Sequence, residues 1–276
     1  GLRKKWTSIS YTRWHTCAFR RGSTETTQEK IMDFSVVIPA RYGSSRLRAK
    51  LLCDIHSKPL IQHTYENALK SNASRVIIAT DDDRIFSVAK KFGAEVCMTK
   101  ESHTSGTSRI AEVLEIYSIE NDHVVVNLQG DEPMISPEVI NQVADNLIKS
   151  DMQIATLCEN LKSKGQYLDP NCVKVLFNKF SKALYFSRSP IPNFRDDGDF
   201  NVDLCYKHIG IYAYKAKFIK EYLTMQSSPL EQSEKLEQLT ILDEGYDIHV
   251  SVACAPTGIG VDTQEDLDNV IKALAK

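Results

Sequence analysis

The stretch SVVIPARYGSSR, residues 35–46, joins an apolar run to a turn of small and basic residues. A short apolar run bounded by turn residues predicts a buried strand of a parallel sheet. The loop that leaves the carboxyl end of such a strand is where open α/β sheets bind their ligands. Gly43 lets the backbone approach a ligand, and Arg41, Arg46 and Lys50 supply positive charge. The stretch therefore predicts a polyphosphate site; an ordinary basic surface turn is the alternative that this segment alone leaves open.

The composition is that of a globular protein with a sizeable core. The chain has 276 residues, 42% of them hydrophobic, and a formal net charge of −2. This charge gives no electrostatic reason to expect nucleic acid or an anionic membrane surface as a partner. The seven cysteines are scattered and odd in number, which favours reduced thiols and a cytoplasmic location. No apolar run is long enough to predict a membrane anchor.

Residues 1–31 differ in composition from the rest of the chain. They carry seven Lys and Arg residues against two Glu, are rich in Ser and Thr, and show no helical or strand period. We interpret them as a disordered leader or tag outside the folded domain, with a transit peptide as the alternative. The domain is predicted to occupy residues 32–276.

From Met32 onward, strand and helix patterns alternate. The predicted strands are 36–39, 76–79, 95–98 and 124–128, and the predicted helices are 59–70, one from Asp81 or Asp82 to Phe92, 107–117 and 137–149. Such alternation indicates right-handed crossovers. The fold class is therefore α/β, with a mostly parallel twisted sheet and helices on both faces.

The pattern changes after about residue 150. The region 151–215 is predicted to hold the strands 154–159, 173–177, 183–187 and 208–214, with few helices between them. We expect it to form an antiparallel extension of the sheet, or a small lobe for dimerisation. Two helices at 217–223 and 230–243, a strand at 248–252 and a helix at 264–274, capped by Asp262 or Thr263, complete the chain.

Two further segments place acidic residues near the basic loop. The strand in VVVNLQGDEPMI, residues 124–135, ends at Asp131 and Glu132, so these carboxylates are expected at the carboxyl edge of the sheet. A carboxylate there can bind a hard divalent cation that bridges phosphates. Asp262 lies between a glycine-rich turn and a helix start, and can complete such a site. A simple turn and a helix cap are the alternatives for Asp131 and Asp262.

Nine segments in this order resemble the 3-deoxy-manno-octulosonate cytidylyltransferases, also called CMP-Kdo synthetases. The most specific are QGDEPMI, YFSRSPIP and HIGIYAY, and the resemblance extends over residues 32–276. The sialic acid cytidylyltransferases share the IPAR-type start but not these later segments. The resemblance implies that CTP and the eight-carbon acid sugar Kdo are the substrates, that Mg²⁺ is required and that the protein is a homodimer. The anomeric hydroxyl of Kdo would attack the α-phosphorus of CTP directly.

The resemblance also implies roles for individual residues. Catalysis would depend on Arg41, Lys50, Asp131 and Asp262, the two aspartates holding Mg²⁺. The nucleotide would contact Pro39, Ala40, Arg41, Lys50, Thr80, Asp81, Ser105 and Arg109. Kdo would contact Arg46, Gln129, Arg188, His208, Glu231 and Glu234.

Simpler roles remain open for some of these residues. Thr80 and Ser105 also fit turn or cap chemistry, His208 fits a hydrogen-bonded histidine at a strand end, and Glu231 and Glu234 fit a solvated helix face.

The chain departs from the family pattern in the basic loop. Where the family usually reads Pro-Gly-Lys-Pro-Leu, this sequence reads Arg48-Ala49-Lys50-Leu51-Leu52. The lysine is kept, but the residues that would fix the backbone are lost. Ser108 and Gln232 also replace the usual Glu and His. Cytidylyl transfer to another sugar acid, or a non-catalytic relative, are the alternative functions.

Overall fold

The central strand of the protein is the predicted one, Phe34–Ala40, and all seven of its residues are buried. The computed structural model describes residues 33–43, 47–103, 105–196 and 200–275. The predicted leader and Arg46 therefore lie outside the described residues.

The strands and helices alternate along much of the chain. The strands are β1 Phe34–Ala40, β2 Asp54–Ile55, β3 Lys58–Pro59, β4 Arg75–Thr80, β5 Glu95–Met98, β6 Val124–Asn127, β7 Ile154–Asn160, β8 Lys174–Phe177, β9 Ala183–Ser187, β10 Tyr206–Lys215 and β11 Ile248–Val252. The α-helices are α1 Leu60–Leu69, α2 Asp83–Lys91, α3 Gly106–Ile116, α4 Pro137–Ile148, α5 Lys164–Leu168, α6 Ala216–Tyr222, α7 Pro229–Glu234, α8 Gln238–Asp243 and α9 Gln264–Leu274. Short 3₁₀ helices occur at Lys50–Leu52 and Val202–Leu204.

The main sheet has the strand order β11-β7-β10-β6-β1-β4-β5. β1 pairs in parallel with β4 and β6, and β7 pairs in parallel with β11. Because successive side chains of a strand point to opposite faces, β1 contributes to two cores. Val36 and Ile38 pack with α1, α4 and α9, whereas Val37 packs with α3, α6 and α8. The predicted mostly parallel sheet with helices on both faces is confirmed.

The antiparallel part lies within the sheet rather than only at its edge. β10 runs antiparallel to both β6 and β7 and separates them. The β8–β9 ribbon pairs with β10 through Lys174 and Lys207. The register of β10 shifts between Ile209 and Tyr212, and this irregularity places Gly210 at the cleft described below. The predicted region 151–215 is thus antiparallel in β8, β9 and β10, but β7 follows the direction of the parallel strands.

One local prediction was wrong, and one local element was missed. The predicted helix 230–243 is two helices, α7 and α8, because Lys235 adopts a left-handed backbone with φ 53°. The hairpin of β2 and β3 was not predicted; His56 and Ser57 at its turn both have positive φ.

The structure shows which of the two candidate residues caps helix α2 and which caps helix α9. The Asp82 side chain accepts hydrogen bonds from the backbone N–H groups of Arg84 and Ile85, and therefore caps α2. Thr263 caps α9 by accepting from the N–H of Asp266. Asp81 and Asp262 are therefore not the caps. Within the described residues, no helix is both long enough and apolar enough to cross a membrane.

Candidate active site

The loops after β1 and β6 and the segment before α9 meet at the carboxyl edge of the sheet. Together they form a cleft of about 340 Å³, here named the charged cleft, lined by Arg41, Lys50, Gln129, Gly130, Asp131 and Asp262, among others. The structure thus brings the four predicted catalytic residues to one place. Gly130 favours this close approach, because a Cβ there would be tightly placed, 3.2 Å from the carbonyl oxygen of Pro39.

Lys50 joins the two aspartates. Its Nζ lies 2.5 Å from Oδ2 of Asp131 and 3.1 Å from Oδ1 of Asp262, and its side chain is only 11% exposed. Burial lowers the pKa of Lys50, but the two carboxylates outweigh this effect, so that the pKa lies above its ordinary value. The lysine therefore stays protonated at neutral pH. Asp131 and Asp262 thus meet at one cation, the ammonium of Lys50.

The donor set suits a hard cation. Mg²⁺ is usually bound through one or two carboxylates together with substrate phosphates and water, rather than by an all-protein cage. Asp131 and Asp262 supply two carboxylates. These two residues could hold a magnesium ion that arrives with a nucleotide. Among the described residues, no group of three or more His, Cys, Asp or Glu side chains could hold a metal ion.

Glu132 lies behind this cleft. Burial and the neighbouring charge of Asp131 raise the pKa of Glu132 to about 7. Gly260 leaves room for its carboxylate, because a Cβ at Gly260 would lie 2.7 Å from Oε1 of Glu132. The acidic segment thus contributes two partly buried carboxylates, of which Asp131 lines the cleft.

A second cleft adjoins the first through Arg41, Gly106 and Gln129. It has a volume of about 350 Å³ and is here named the aromatic cleft; its walls include His208, Tyr212, Tyr214, Tyr222 and Glu237. A pocket whose apolar walls carry a few polar groups is typical of a small-molecule site.

His208 forms part of the floor of the aromatic cleft. Its Nε2 lies 3.1 Å from the hydroxyl oxygen of Thr156, and its ring packs against Phe186 and Tyr212 with centroid distances of 5.1 and 5.3 Å. Burial, followed by the charge of Lys207, lowers the pKa of His208 to about 3. The imidazole is neutral at pH 7 and can offer a hydrogen bond but no charge.

Tyr212 offers a further polar group. Its hydroxyl is buried and makes no hydrogen bond with any described residue, although the side chain lines the aromatic cleft. An unpaired buried hydroxyl is costly, and a bound polar ligand would relieve that cost.

The predicted glutamates do not line either cleft. Glu231 accepts a hydrogen bond from the hydroxyl of Thr240, and the carboxylate of Glu234 accepts from the hydroxyl of Ser187 at 2.7 Å. Glu237, three residues further, lines the aromatic cleft instead. Burial and the charge of Glu231 raise the pKa of Glu237, while Arg41 opposes that rise.

Arg188 is also turned away from both clefts. Its guanidinium donates to the carbonyl oxygens of Glu234 at 2.7 Å, Pro170 at 3.0 Å and Lys235 at 3.4 Å. The arginine therefore contacts the backbone of the loop beside the cleft, whereas the resemblance implies a direct contact with Kdo.

The predicted nucleotide contacts occupy three positions around Arg41. Pro39 lines the charged cleft, and Ser105 lines the aromatic cleft while its hydroxyl caps α3. Asp81 lines a third cleft of about 410 Å³ that also includes Arg41. Ala40 and Thr80 are buried at strand ends, and Thr80 accepts a hydrogen bond from the N–H of Asp82 at 3.2 Å.

Arg109 is fully buried and lines none of these clefts. It donates to the carboxylate of Asp81 and to the hydroxyl of Thr99. Arg109 therefore reaches the edge of these clefts only through Asp81. Ser108, which replaces the usual glutamate, completes the capping box of α3 with Ser105.

Sequence reasoning missed several residues of the aromatic cleft. Tyr212 and Tyr214 share a face of β10 with His208, so the alternation of a strand could have identified them once His208 was chosen. No such pattern marks Glu237 or Tyr222 in the sequence. For Glu237, the break at Lys235 decides which glutamate faces the cleft.

A charged cleft at the carboxyl edge of a mostly parallel sheet, beside a second pocket with polar groups, is the usual place of a nucleotide or other small-molecule site in an α/β protein. A family model described as Cytidylyltransferase matches residues 35–248. A cytidylyltransferase structure from Leptospira borgpetersenii shares the fold at 17% identity, with a TM-score of 0.58.

Proteins with higher sequence identity show which family of cytidylyltransferases the chain belongs to. The chain is 68% identical over 243 residues to a 3-deoxy-manno-octulosonate cytidylyltransferase of Ruthia magnifica, covering 88% of this chain and 100% of that protein. It is 51% identical to the protein of that name from Haemophilus influenzae strain PittEE, covering 89% and 100%. A solved CMP:2-keto-3-deoxy-manno-octonic acid synthetase in complex with CTP is 42% identical, with a TM-score of 0.81, covering 88% and 98%. The chain belongs to the 3-deoxy-manno-octulosonate cytidylyltransferase family.

Proposed function

We propose that this protein transfers CMP from CTP to the anomeric hydroxyl of Kdo, giving CMP-Kdo and pyrophosphate for the inner core of lipopolysaccharide. The observation that carries the proposal is the meeting of Lys50, Asp131 and Asp262 beside the aromatic cleft. The names of the relatives and the CTP complex of the similar structure support the same reaction.

The reaction needs positioning and charge more than a covalent nucleophile. A direct attack on the α-phosphorus requires the incoming oxygen and the leaving pyrophosphate to lie on opposite sides. Arg41 and Lys50 would bind the phosphates and hold the triphosphate in the charged cleft. Asp131 and Asp262 would hold Mg²⁺, which neutralises the phosphate charge when it is bound.

The aromatic cleft suits the acid sugar. Neutral His208, the unpaired hydroxyl of Tyr212 and the amide of Gln129 can bind sugar hydroxyls, and Lys235 lines the same cleft and can meet the carboxylate. Glu237 takes the place that we had predicted for Glu231 and Glu234. The shared wall at Arg41 would bring the sugar next to the α-phosphate.

The cytidine would lie along the ends of β1 and β4 and the start of α3. Pro39, Asp81 and Ser105 are exposed to clefts there, whereas Arg109 would fix the Asp81 carboxylate from behind.

The homodimer and the cytoplasmic location are part of the proposal. The β8–β9 ribbon and its surroundings expose large apolar side chains, with Phe180 67%, Leu184 59% and Leu168 55% exposed, and such a surface favours association. The cysteines that the structure describes are free thiols, in keeping with a reducing compartment.

A substrate panel tests the proposal. The protein is incubated with CTP, Mg²⁺ and Kdo, with sialic acid and other sugar acids in parallel, and pyrophosphate and the sugar nucleotide are measured. We expect both products with Kdo. Turnover with a different acid only would establish the related enzyme, and binding of CTP without turnover of any acid would establish the non-catalytic relative.

A further inference from the structure

Arg188 caps the end of α7. It follows β9 directly, and its guanidinium donates to the carbonyl oxygens of Glu234 and Lys235 at 2.7 and 3.4 Å. The last carbonyls of a helix have no partner within the helix, so these donations satisfy groups at the C-terminal end of α7. A third donation, to the carbonyl oxygen of Pro170 at 3.0 Å, ties the same side chain to the segment before β8.

Glu234 holds Arg188 in return. Its Oε2 accepts from the backbone N–H of Arg188 at 2.8 Å, and its Oε1 accepts from the hydroxyl of Ser187 at 2.7 Å. The side chain of each residue therefore binds the backbone of the other. This reciprocal arrangement fixes the end of α7 against the end of β9.

Lys174 supports the same point from the interior. It is fully buried, and its Nζ donates to the carbonyl oxygens of Asp169 at 2.8 Å and Arg188 at 2.7 Å. A buried ammonium without such acceptors would be strongly unfavourable. We refer to Lys174, Arg188 and Glu234 as the clamp.

The clamp ends where the wall of the aromatic cleft begins. Lys235 has φ 53° and ψ 48°, a left-handed conformation that a non-glycine residue keeps only when its surroundings enforce it. The chain then runs along the cleft from Lys235 to Gln238, with Glu237 among the lining residues. None of the three clamp residues lines the cleft itself.

We propose that Arg188 is a positioning residue for the sugar acid: through the clamp it holds the wall 235–238 in place and controls the affinity for Kdo without touching it. The assignment of Kdo to the aromatic cleft rests on the proposed function. The effect of Arg188 on the wall does not rest on it, because it follows from the hydrogen bonds alone.

Steady-state kinetics of Arg188→Ala and Arg188→Lys test whether Arg188 controls the affinity for Kdo. A lost set of hydrogen bonds at the cap is expected to raise KM for Kdo about tenfold in Arg188→Ala, with an intermediate rise in Arg188→Lys. KM for CTP should stay within about twofold, because the triphosphate would bind in the charged cleft, which none of the clamp residues lines. Arg75→Ala is the matched control: the Arg75 guanidinium also makes several hydrogen bonds, with the carboxylate of Glu95, but it lines neither the charged cleft nor the aromatic cleft, and this variant should change neither KM.

A double-mutant cycle separates positioning from direct contact. If Arg188 acts through the wall, Arg188→Ala should raise KM for Kdo less than about threefold in a protein in which Glu237→Gln has already weakened that wall. A full tenfold rise in KM for Kdo in the Glu237→Gln background would overturn the proposal. Equal rises of KM for Kdo and for CTP in Arg188→Ala would overturn it as well.

Hydrogen exchange gives a readout that needs no turnover. In the ligand-free protein, the amides of Lys235, Leu239 and Thr240 donate to the carbonyl oxygens of Glu231, Leu236 and Glu237. These three amides should exchange about tenfold faster in Arg188→Ala than in wild type and Arg75→Ala. Glu234→Gln, which keeps the shape and one acceptor oxygen, serves if Arg188→Ala does not fold. Unchanged exchange in the folded variants contradicts the clamp, whereas a wild type that does not use Kdo contradicts the proposed function alone.

Discussion

Replacing Lys50 with methionine removes the ammonium that joins Asp131 and Asp262 while keeping most of the side-chain volume. Both carboxylates then lose a partner, at 2.5 and 3.1 Å, and repel each other. Removing one partner of a buried ion pair costs about 3–5 kcal/mol, and an exposed pair contributes about 0–1 kcal/mol. Lys50 is 11% exposed but its partners are 29% and 51% exposed, so the cost should lie between these limits.

We therefore expect a destabilisation of about 2–3 kcal/mol, which lowers Tm by about 4–12 °C for a domain of this size. Since Mg²⁺ would restore positive charge between the carboxylates, it should raise Tm of Lys50→Met more than that of wild type. The turnover rate should fall about 10²–10³-fold, as when other preorganised charges are removed.

Calorimetry with and without Mg²⁺, together with a pyrophosphate assay, measures these effects. Lys58→Met is the matched control, because Lys58 pairs with Glu66 at 2.7 Å in a more exposed position and should cost less than about 1 kcal/mol. An unchanged Tm and near-normal turnover in Lys50→Met would refute the reasoning.

Three further predictions concern metal, pH and the leader. Asp131→Asn and Asp262→Asn should each lower kcat about a hundredfold or more. The double variant should lower kcat much less than the product of the two single losses, because the aspartates act as a unit. Near-normal kcat values of the single variants at limiting Mg²⁺ would exclude the metal role. His208 has a pKa of about 3 in the folded protein against 6.5 ordinarily. The unfolded chain therefore binds more protons between these two pH values. Stability is lost as the pH falls through that window, by up to about 1.4 kcal/mol per pH unit. His208→Gln should lack this loss, and urea unfolding at a series of pH values would show a dependence identical to wild type if the reasoning is wrong. Deletion of residues 1–31 should leave kcat and Tm nearly unchanged, since that segment has no periodic apolar pattern; a large fall in either would show that it packs on the domain.

Much of the fold could be predicted because its signals are periodic. β1 and β6 are short apolar runs, and α4 starts with proline and repeats its apolar residues at helical spacing. The split between α7 and α8 could not be predicted, since its cause is a left-handed lysine where glycine would have been the usual signal. The β2–β3 hairpin is only two residues per strand, which is too short for a pattern.

The charged cleft could be predicted in the same way, because the loops after parallel strands must meet at one edge. Asp131 and Lys50 follow from that rule, and Asp262 follows from the turn before α9. The aromatic cleft depends instead on side-chain direction in a short helix and on the turn at Lys235. For that reason Glu237 was missed, while Glu231 and Glu234 were chosen although they bind neighbouring residues.

The fate of the phosphates of CTP tests the central claim most directly. CTP labelled at the α-phosphate is incubated with the protein, Kdo and Mg²⁺, and the products are separated. We predict that the label moves into CMP-Kdo in step with the release of unlabelled pyrophosphate. Label that stays in CTP, or appears in CMP without a sugar nucleotide, would contradict the account.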